Sequence, residues 1–534
     1  MKKIARLFFR TDFLIPLILI LIVFLQYSGS LQNQLFYDDE ELIYKNTYVQ
    51  NLGYWPKYFT ENMIAGAGKQ SNMYRPILLL SFAFDYSLWK DNPFGYHLTN
   101  IFLHSLNAVF VFLLIRNLFK NNFIAFFTAI LFAIHPVQTE AVAYASGRTD
   151  PLSAFFLLGS LFFYEKFLNN NRLSLAFYLS SFVFFLLAIL SKESAVILPL
   201  LLTAVLLIKT KTIKSKFSRH FLYLIPFVLL SAGYFYLRMT RFNFGNTLNF
   251  YQNITTSEEI SVYSQSIATR LFTFAGVFLE YLKIVLFPKE LIFARNVNLI
   301  NSFFNFQVFG FIVIFCLFAF FSWKNFRKNN LFLFSFIWFF ASILPTSGLI
   351  PINSILAEHY LYLPSVALFL LISFYLYQIF FSAKTVFIKM TVIFTLSVIA
   401  PALFLRTFLR TLDWKNPVTF YTNSLKQSPW HTVMRHNLAM AYAQEGKLEL
   451  AIKEYQNLIY SADIYPNTHH NLANALLALE KYKEAEAEYK KAIEMDPDFI
   501  FSYHALLNLY KITGETEKEN YIKEKIAAFS NYNE

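Results

Sequence analysis

Four consecutive acidic residues, Asp38-Asp39-Glu40-Glu41, stand just beyond an apolar segment that runs from Phe13 to Leu25. Charge held at a membrane surface is costly, and side chains kept there are candidates for function. One well-placed carboxylate can act as a general base, with its neighbours tuning its pKa or holding a second reactant. The same carboxylates could bind a divalent cation. In an extended segment alternate side chains share a face, so Asp38 and Glu40 are expected together and Asp39 opposite. The plainer reading is a solvated loop that helps to orient the preceding segment, and it is weakened because Asp and Glu contribute little to topology.

Further chemistry-bearing residues recur in short clusters. Arg75-Pro76 opens a segment, 75–90, that is apolar except for Asp85, and His97, Asn100 and His104 follow at helical spacing. An arginine at this depth suits a forked contact with phosphate, or snorkels to headgroups. His135 to Glu140 and then Gly147-Arg148-Thr149-Asp150 form a polar stretch between two apolar runs, in which Arg148 and Asp150 could pair with each other. Lys192-Glu193 and Glu358-His359-Tyr360 complete the set.

The elements that must position these groups are membrane helices. Of 534 residues, 56% are hydrophobic and only 15% charged, against about 25% charged in a soluble protein. The net charge of +12 lies mainly in short loops between apolar segments, which is the positive-inside pattern and argues against nucleic-acid binding. Cys316 is the only cysteine and sits in an apolar run, so disulfides and a cysteine-ligated zinc are excluded. The first segment lacks a convincing cleavage site and reads as a retained span. Spans are expected near 12–31, 97–118, 122–137, 150–168, 172–190, 194–208, 220–238, 304–323, 331–347, 362–381 and 385–405, about eleven in all. Segment 267–287 carries Arg270, Glu280 and Lys283 and reads as a helix lying in the interface. This assignment puts Lys2, Lys3, Arg6, Arg10, Arg116, Lys120, Lys166, Arg172, the run Lys209 to Arg219, Lys324, Arg327, Lys328, Lys384 and Lys389 inside. The five polar clusters, together with the C-terminal region, then fall outside, as an active site at a membrane surface requires. A transporter would place charges in mid-span and often show inverted repeats; neither pattern is present.

After Thr411 the composition turns to Glu, Lys, Ala and Asn, and a 34-residue period appears. Leu438, Leu472 and Leu506 align, as do Tyr442, Leu476 and Tyr510, Ala451 and Ala485, Tyr455 and Tyr489, and Gly446 and Gly514, while Ala492 and Pro497 close the second unit. This is the helix-turn-helix pattern of tetratricopeptide repeats. A third unit lacks the small residue at Glu519 and reads as a solvated cap. Asn437 and Asn471 hold equivalent first-helix positions, where an amide could pair with a peptide backbone.

Long strings carry a resemblance over nearly the whole chain: YDDEELI at 37–43, YRPILLLSF at 74–82, NPFGYHLTNIFLHSLNA at 92–108, FAIHPVQTEAVAYASGRTD at 132–150, SKESAVILPL at 191–200 and AEHYLYLPS at 357–365. They resemble the transmembrane and tetratricopeptide-repeat family of protein O-mannosyltransferases and its bacterial relatives, which look like GT-C glycosyltransferases. The fold this implies is all-α: a GT-C-like membrane domain over 1–410, with a catalytic outer loop at about 32–96, a linker at 411–429 and repeats over 430–534. The resemblance also implies a polyprenyl-phosphate-linked sugar donor and an acceptor Ser or Thr hydroxyl on an exported protein, which the repeats would engage. Carried onto this chain, it makes Asp38 or Asp39 the base with Glu40 in support. Arg75, Arg148, Lys192 and His359 are the candidates to hold the donor phosphate. His97, His135, Glu140, Asp150, Glu193, Glu358 and Tyr360 are expected as supporting outer-face groups. Relatives usually carry Arg where this chain has His359, and a neutral imidazole is a hydrogen-bond donor rather than a fixed charge. No cofactor is required, and a divalent ion at Asp38, Asp39 and Glu40 is an option. The competing class is a non-enzymatic membrane scaffold whose repeats dock envelope proteins.

Overall fold

The computed structural model describes residues 13–169, 174–210, 221–242, 263, 266–293, 295–325, 330–350, 354–461 and 465–530. Of the inward-facing basic residues expected above, Lys2, Lys3, Arg6, Arg10, Arg172, Arg327, Lys328 and those of 211–219 lie outside the described residues. The chain divides into two compact units, 1–415 and 416–534, and every regular element among the described residues is helical.

The first unit is an integral-membrane helix bundle. Seven of its helices are long and apolar enough to cross a bilayer: the segment Leu14–Gln32, Pro93–Phe119, the segment Ser146–Asn169, Ser174–Ser191, Phe306–Asn325, Ser365–Ser382 and Val386–Leu412. The other expected spans are shorter helices: Asn122–Ile134, Leu198–Thr210 and Leu331–Ile343 at 13 residues each, and Ile225–Thr240 at 16. At 1.5 Å per residue, 13 residues cover roughly 20 Å of a core of about 30 Å. Helix Asn122–Ile134 stops because Pro136 has no N–H to continue the ladder and forces His135 into extended backbone; the chain resumes at an angle of 53°. Segment 267–287 forms one helix, Ile267–Leu286, and is not among the seven.

Local sequence sets the helix starts. Pro76 and Pro93 occupy first turns, where a missing N–H costs nothing. Asn92, Asn121 and Thr385 cap their helices through side-chain oxygens. Polar residues inside the bundle come paired. Lys209 and Glu165 meet at 2.6 Å, near the end of Thr149–Asn169 opposite to Asp150.

The loop between the first span and Pro76 folds over an apolar nucleus of its own. Leu42, Ile43, Val49, Tyr58, Leu78, Phe82 and Tyr96 belong to this cluster, which is distinct from the main bundle core. It fastens residues 35–64 to helices Pro76–Trp89 and Pro93–Phe119.

In the second unit, the aligned positions form the core: Ala451, Ala485, Tyr455, Tyr489, Leu472 and Leu506 are all buried. Helix Pro417–Gln427 occupies most of the segment read as a linker, and Val386–Leu412 extends the last membrane helix into its start. The turn residues Gly446 and Gly514 both take φ of +75°. The period puts Glu480 at the same turn, with φ of +59° and an exposed side chain. A non-glycine residue pays about 1 kcal/mol for the left-handed region. Glu480→Gly is therefore expected to raise the unfolding midpoint of the repeat unit, by about 0.5–1 kcal/mol of added stability in a thermal or urea melt.

Candidate active site

The acidic cluster is a turn rather than an extended segment. Tyr37 adopts φ of +61°, and a short helical turn, Glu40–Tyr44, begins directly after Asp39. Asp38 and Glu40 therefore do not share a face, and the two aspartates part from the two glutamates in their contacts.

Asp39 is 1% exposed. One oxygen accepts from the Phe36 amide at 3.2 Å; the other accepts from the Ser146 amide at 2.8 Å and from the Ser146 hydroxyl. Burial pushes its pKa up to about 7, against the pull of the Ser146 and Phe36 hydrogen bonds. Glu40 and Glu41 pair with Lys45 at 2.9 and 3.2 Å, and Glu41 also with Lys69 at 2.9 Å. Asp38 alone is exposed. Protein nevertheless surrounds it on most sides, which defines a recess. Partial desolvation there raises its pKa, while Tyr144, Arg75 and His359 oppose the rise. The option of a divalent ion at Asp38, Asp39 and Glu40 meets a poor fit, since the last two are spent on other contacts. Among the described residues no three acidic or histidine groups converge as a metal site.

Around the recess, three cationic or imidazole groups each hold a carboxylate. Arg75, at the start of Pro76–Trp89, forks onto Glu193 through Nε at 3.0 Å and Nη2 at 2.6 Å. Burial would raise the Glu193 pKa, but Arg75 prevails and holds it at about 2; the Glu193 side chain stays 43% exposed. Lys192 pairs with Asp150 at 2.7 Å and sits over the Tyr360 ring at 5.7 Å. His359 meets Glu140 through Nδ1 at 2.6 Å, and its amide donates to the same carboxylate at 3.1 Å. Arg75 and His359 both act electrostatically on Asp38, which ties these pairs to one locus. Behind them Glu358 is fully buried, with Arg295 and Arg410 at 4.0 and 3.9 Å. Burial raises its pKa, with Arg410 opposing.

Arg148 takes a different part. It is 0% exposed and pairs with Asp85, not Asp150, at 2.5 Å. Its Nε donates to Asn100 at 2.8 Å, Nη2 to the Tyr96 carbonyl at 2.9 Å and Nη1 to the Ser81 carbonyl at 3.2 Å, over the Phe82 ring at 4.5 Å. All five N–H groups face protein, so no fork remains for a phosphate. His97 contacts the Asn33 carbonyl at 3.1 Å, and His135 the Val285 carbonyl at 3.0 Å. Both tie backbone segments together. In the second unit Asn471 lines a cavity of about 300 Å³ with Gln444 and Asn474 and approaches His436 at 3.4 Å, while Asn437 is half-buried.

Sequence reasoning missed the residues that fix the acidic turn. The Asn100 amide donates to the Tyr144 and Ala145 carbonyls at 2.9 and 3.3 Å. Ser146 holds Asp39, and the Tyr144 hydroxyl accepts from the Asp38 amide at 3.0 Å. Tyr144 stacks on Trp414 at 5.0 Å and 22°. Gly147 passes so near the Glu140 carbonyl that a Cβ would lie 2.6 Å from it. A polar residue on a helix face toward the 142–148 stretch was the available signal, in the form of Asn100.

An all-helical polytopic membrane bundle with a polar recess, followed by tetratricopeptide repeats, defines a recognisable class. The family described as dolichyl-phosphate-mannose-protein mannosyltransferase matches residues 76–235, and tetratricopeptide repeats match 433–463 and 466–499. Over 453 residues the chain is 25% identical to a protein O-mannosyl-transferase of Caenorhabditis elegans, covering 83% of this chain and 62% of that protein. Over 463 residues it is 25% identical to protein O-mannosyl-transferase TMTC3 of Homo sapiens, covering 80% and 49%. A solved oligosaccharyltransferase of Archaeoglobus fulgidus aligns with a TM-score of 0.42 at 13% identity, over 75% of this chain and 55% of that chain. Over most of its length the chain is thus similar to proteins named protein O-mannosyl-transferase. It spans half to two-thirds of the length of the curated relatives it matches.

Removing one partner of a buried ion pair costs about 3–5 kcal/mol. Asp85→Ala is therefore expected to destabilise the first unit by that amount, read as a fall in the detergent-solubilised unfolding midpoint. Glu193→Ala, whose carboxylate is half in solvent, is expected to shift it far less.

Proposed function

We propose that the protein is a membrane glycosyltransferase that moves a hexose from a polyprenyl-phosphate donor to Ser or Thr hydroxyls of exported proteins. In this reading the Asp38 recess and the repeats both face the extracytoplasmic side. The observation that carries it is the division of labour in the acidic turn: Asp39, Glu40 and Glu41 are consumed by other contacts, while Asp38 is exposed beside Arg75 and His359.

The reaction is a single in-line displacement at the anomeric carbon. Asp38 takes the proton of the acceptor hydroxyl as its oxygen bonds to that carbon, and the bond from carbon to the phosphate oxygen breaks on the opposite side. Configuration is inverted. A phosphate leaves well without protonation, so one carboxylate suffices. The negative charge that grows on it is met by Arg75, which can trade the solvent-exposed Glu193 for phosphate. Lys192 and His359 lie in the same wall and offer N–H donors. Arg148 drops out of the donor site because Asp85 and four further contacts occupy it. The uncharged cavity at Asn471, Gln444 and Asn474 is suited to an acceptor backbone, which presents alternating donors and acceptors.

Catalysis needs ionised Asp38, and its pKa lies above the ordinary carboxylate value. Activity is therefore expected to fall on acidification at a pH above that of a free aspartate, and to hold level on the alkaline side of this limb. Asp38→Asn should lower hexose incorporation about 10²–10⁴-fold, measured by mass spectrometry of exported proteins. Undiminished incorporation in that variant would remove the base from the mechanism.

A further inference from the structure

The geometry points to Tyr144 as the positioning residue of the proposed base: its hydroxyl takes the Asp38 amide proton and turns its own proton to the Asp38 carboxylate. This rests on the reading of Asp38 as base and extends it to a residue outside the acidic turn. A phenol has one proton to give and lone pairs to accept with. The Oη accepts from the Asp38 N–H at 3.0 Å and also meets the Ser146 side chain; of these neighbours the Asp38 carboxylate is the charged acceptor for the hydroxyl proton. A carboxylate pinned at both its own amide and its side chain has little rotational freedom, so its oxygen stays aimed at the acceptor.

Tyr144 is itself held on all sides. Its ring stacks on Trp414 and meets the edge of Phe293 at 6.4 Å, and Phe36 lies at 6.4 Å. Asn100 fixes its carbonyl. The residue next but one, Ser146, holds Asp39, so one short stretch of backbone clamps both aspartates. The Tyr144 phenol is pushed well above its usual pKa, by burial first and by Asp38 and Asp39 next, and remains protonated as a donor must. The groups that face Asp38 are Tyr144, Arg75, Glu41 and His359, with Tyr37 and Asp39 as chain neighbours. Tyr37 and Tyr144 are the two phenols among them, and it is Tyr144 that hydrogen-bonds Asp38 and lowers its pKa.

Tyr144→Phe keeps the aromatic stack and deletes only the hydroxyl. The full-length variant, reconstituted in lipid vesicles with polyprenyl-phosphate mannose and a Ser/Thr peptide, should lose kcat about ten- to a hundredfold. The donor KM should change little, and the acid limb of the pH profile should move to higher pH. A second readout needs no turnover. The difference in unfolding midpoint between wild type and Asp38→Asn, followed against pH, reports the folded pKa of Asp38 by linkage. Its transition should move upward when Tyr144→Phe is present in both. An unmoved limb together with an unmoved transition overturns the role of Tyr144, whatever happens to kcat. If Asp38→Asn transfers sugar as well as wild type, the base assignment fails and the positioning role fails with it.

Discussion

Arg148 and Asp85 form an ion pair with no exposure to solvent, and the polar recess depends on it. Two charges out of water are tolerable only if their remaining hydrogen-bonding capacity is met. Arg148 meets it by reaching three elements at once: Ser81 and Asp85 on one helix, Tyr96 and Asn100 on the next, and its own turn at 146–148. Such a fork leaves the 144–148 backbone one position relative to both helices. Tyr144 and Ser146 then deliver that position to Asp38 and Asp39. A lysine could supply the charge but not the planar set of donors.

The donor groups nearer solvent follow another logic. Arg75, Lys192 and His359 each hold a carboxylate, and the two fixed cations, Arg75 and Lys192, are each matched by one acidic group. Exposed carboxylates such as Glu193 can be exchanged at low cost, because water solvates them once released. Asp150 and Glu140 are more enclosed and keep Lys192 and His359 in place. The recess thus combines fixed donors with at least one that can change partner.

The broad plan was legible because it rests on periodicity. Apolar runs marked the membrane helices, and the 34-residue repeat marked positions such as Ala451 and Ala485 that prove fully buried. Individual roles were less legible, for specific reasons. Arg148 and Asp150 lie two apart where a helix begins, and residues so spaced do not face each other; Arg148 instead found Asp85, 63 positions earlier in the chain. His97 and His135 looked reactive, but their partners are backbone carbonyls of remote segments, which leave no trace in composition. Asp38 and Asp39 are chemically identical neighbours. Only the left-handed Tyr37, which starts a turn, sends one inward and leaves the other in the recess.

The loop carrying Asp38 packs into an apolar cluster shared with helices Pro76–Trp89 and Pro93–Phe119 and distinct from the main bundle core. A segment held through one such cluster gains and loses order as a unit, with a free energy set by those contacts. The order of the acidic loop is therefore tied to helices Pro76–Trp89 and Pro93–Phe119 more than to the main bundle core. Damage confined to Leu42, Ile43, Val49 or Tyr58 would loosen the acidic turn and leave the contacts of the main bundle core in place.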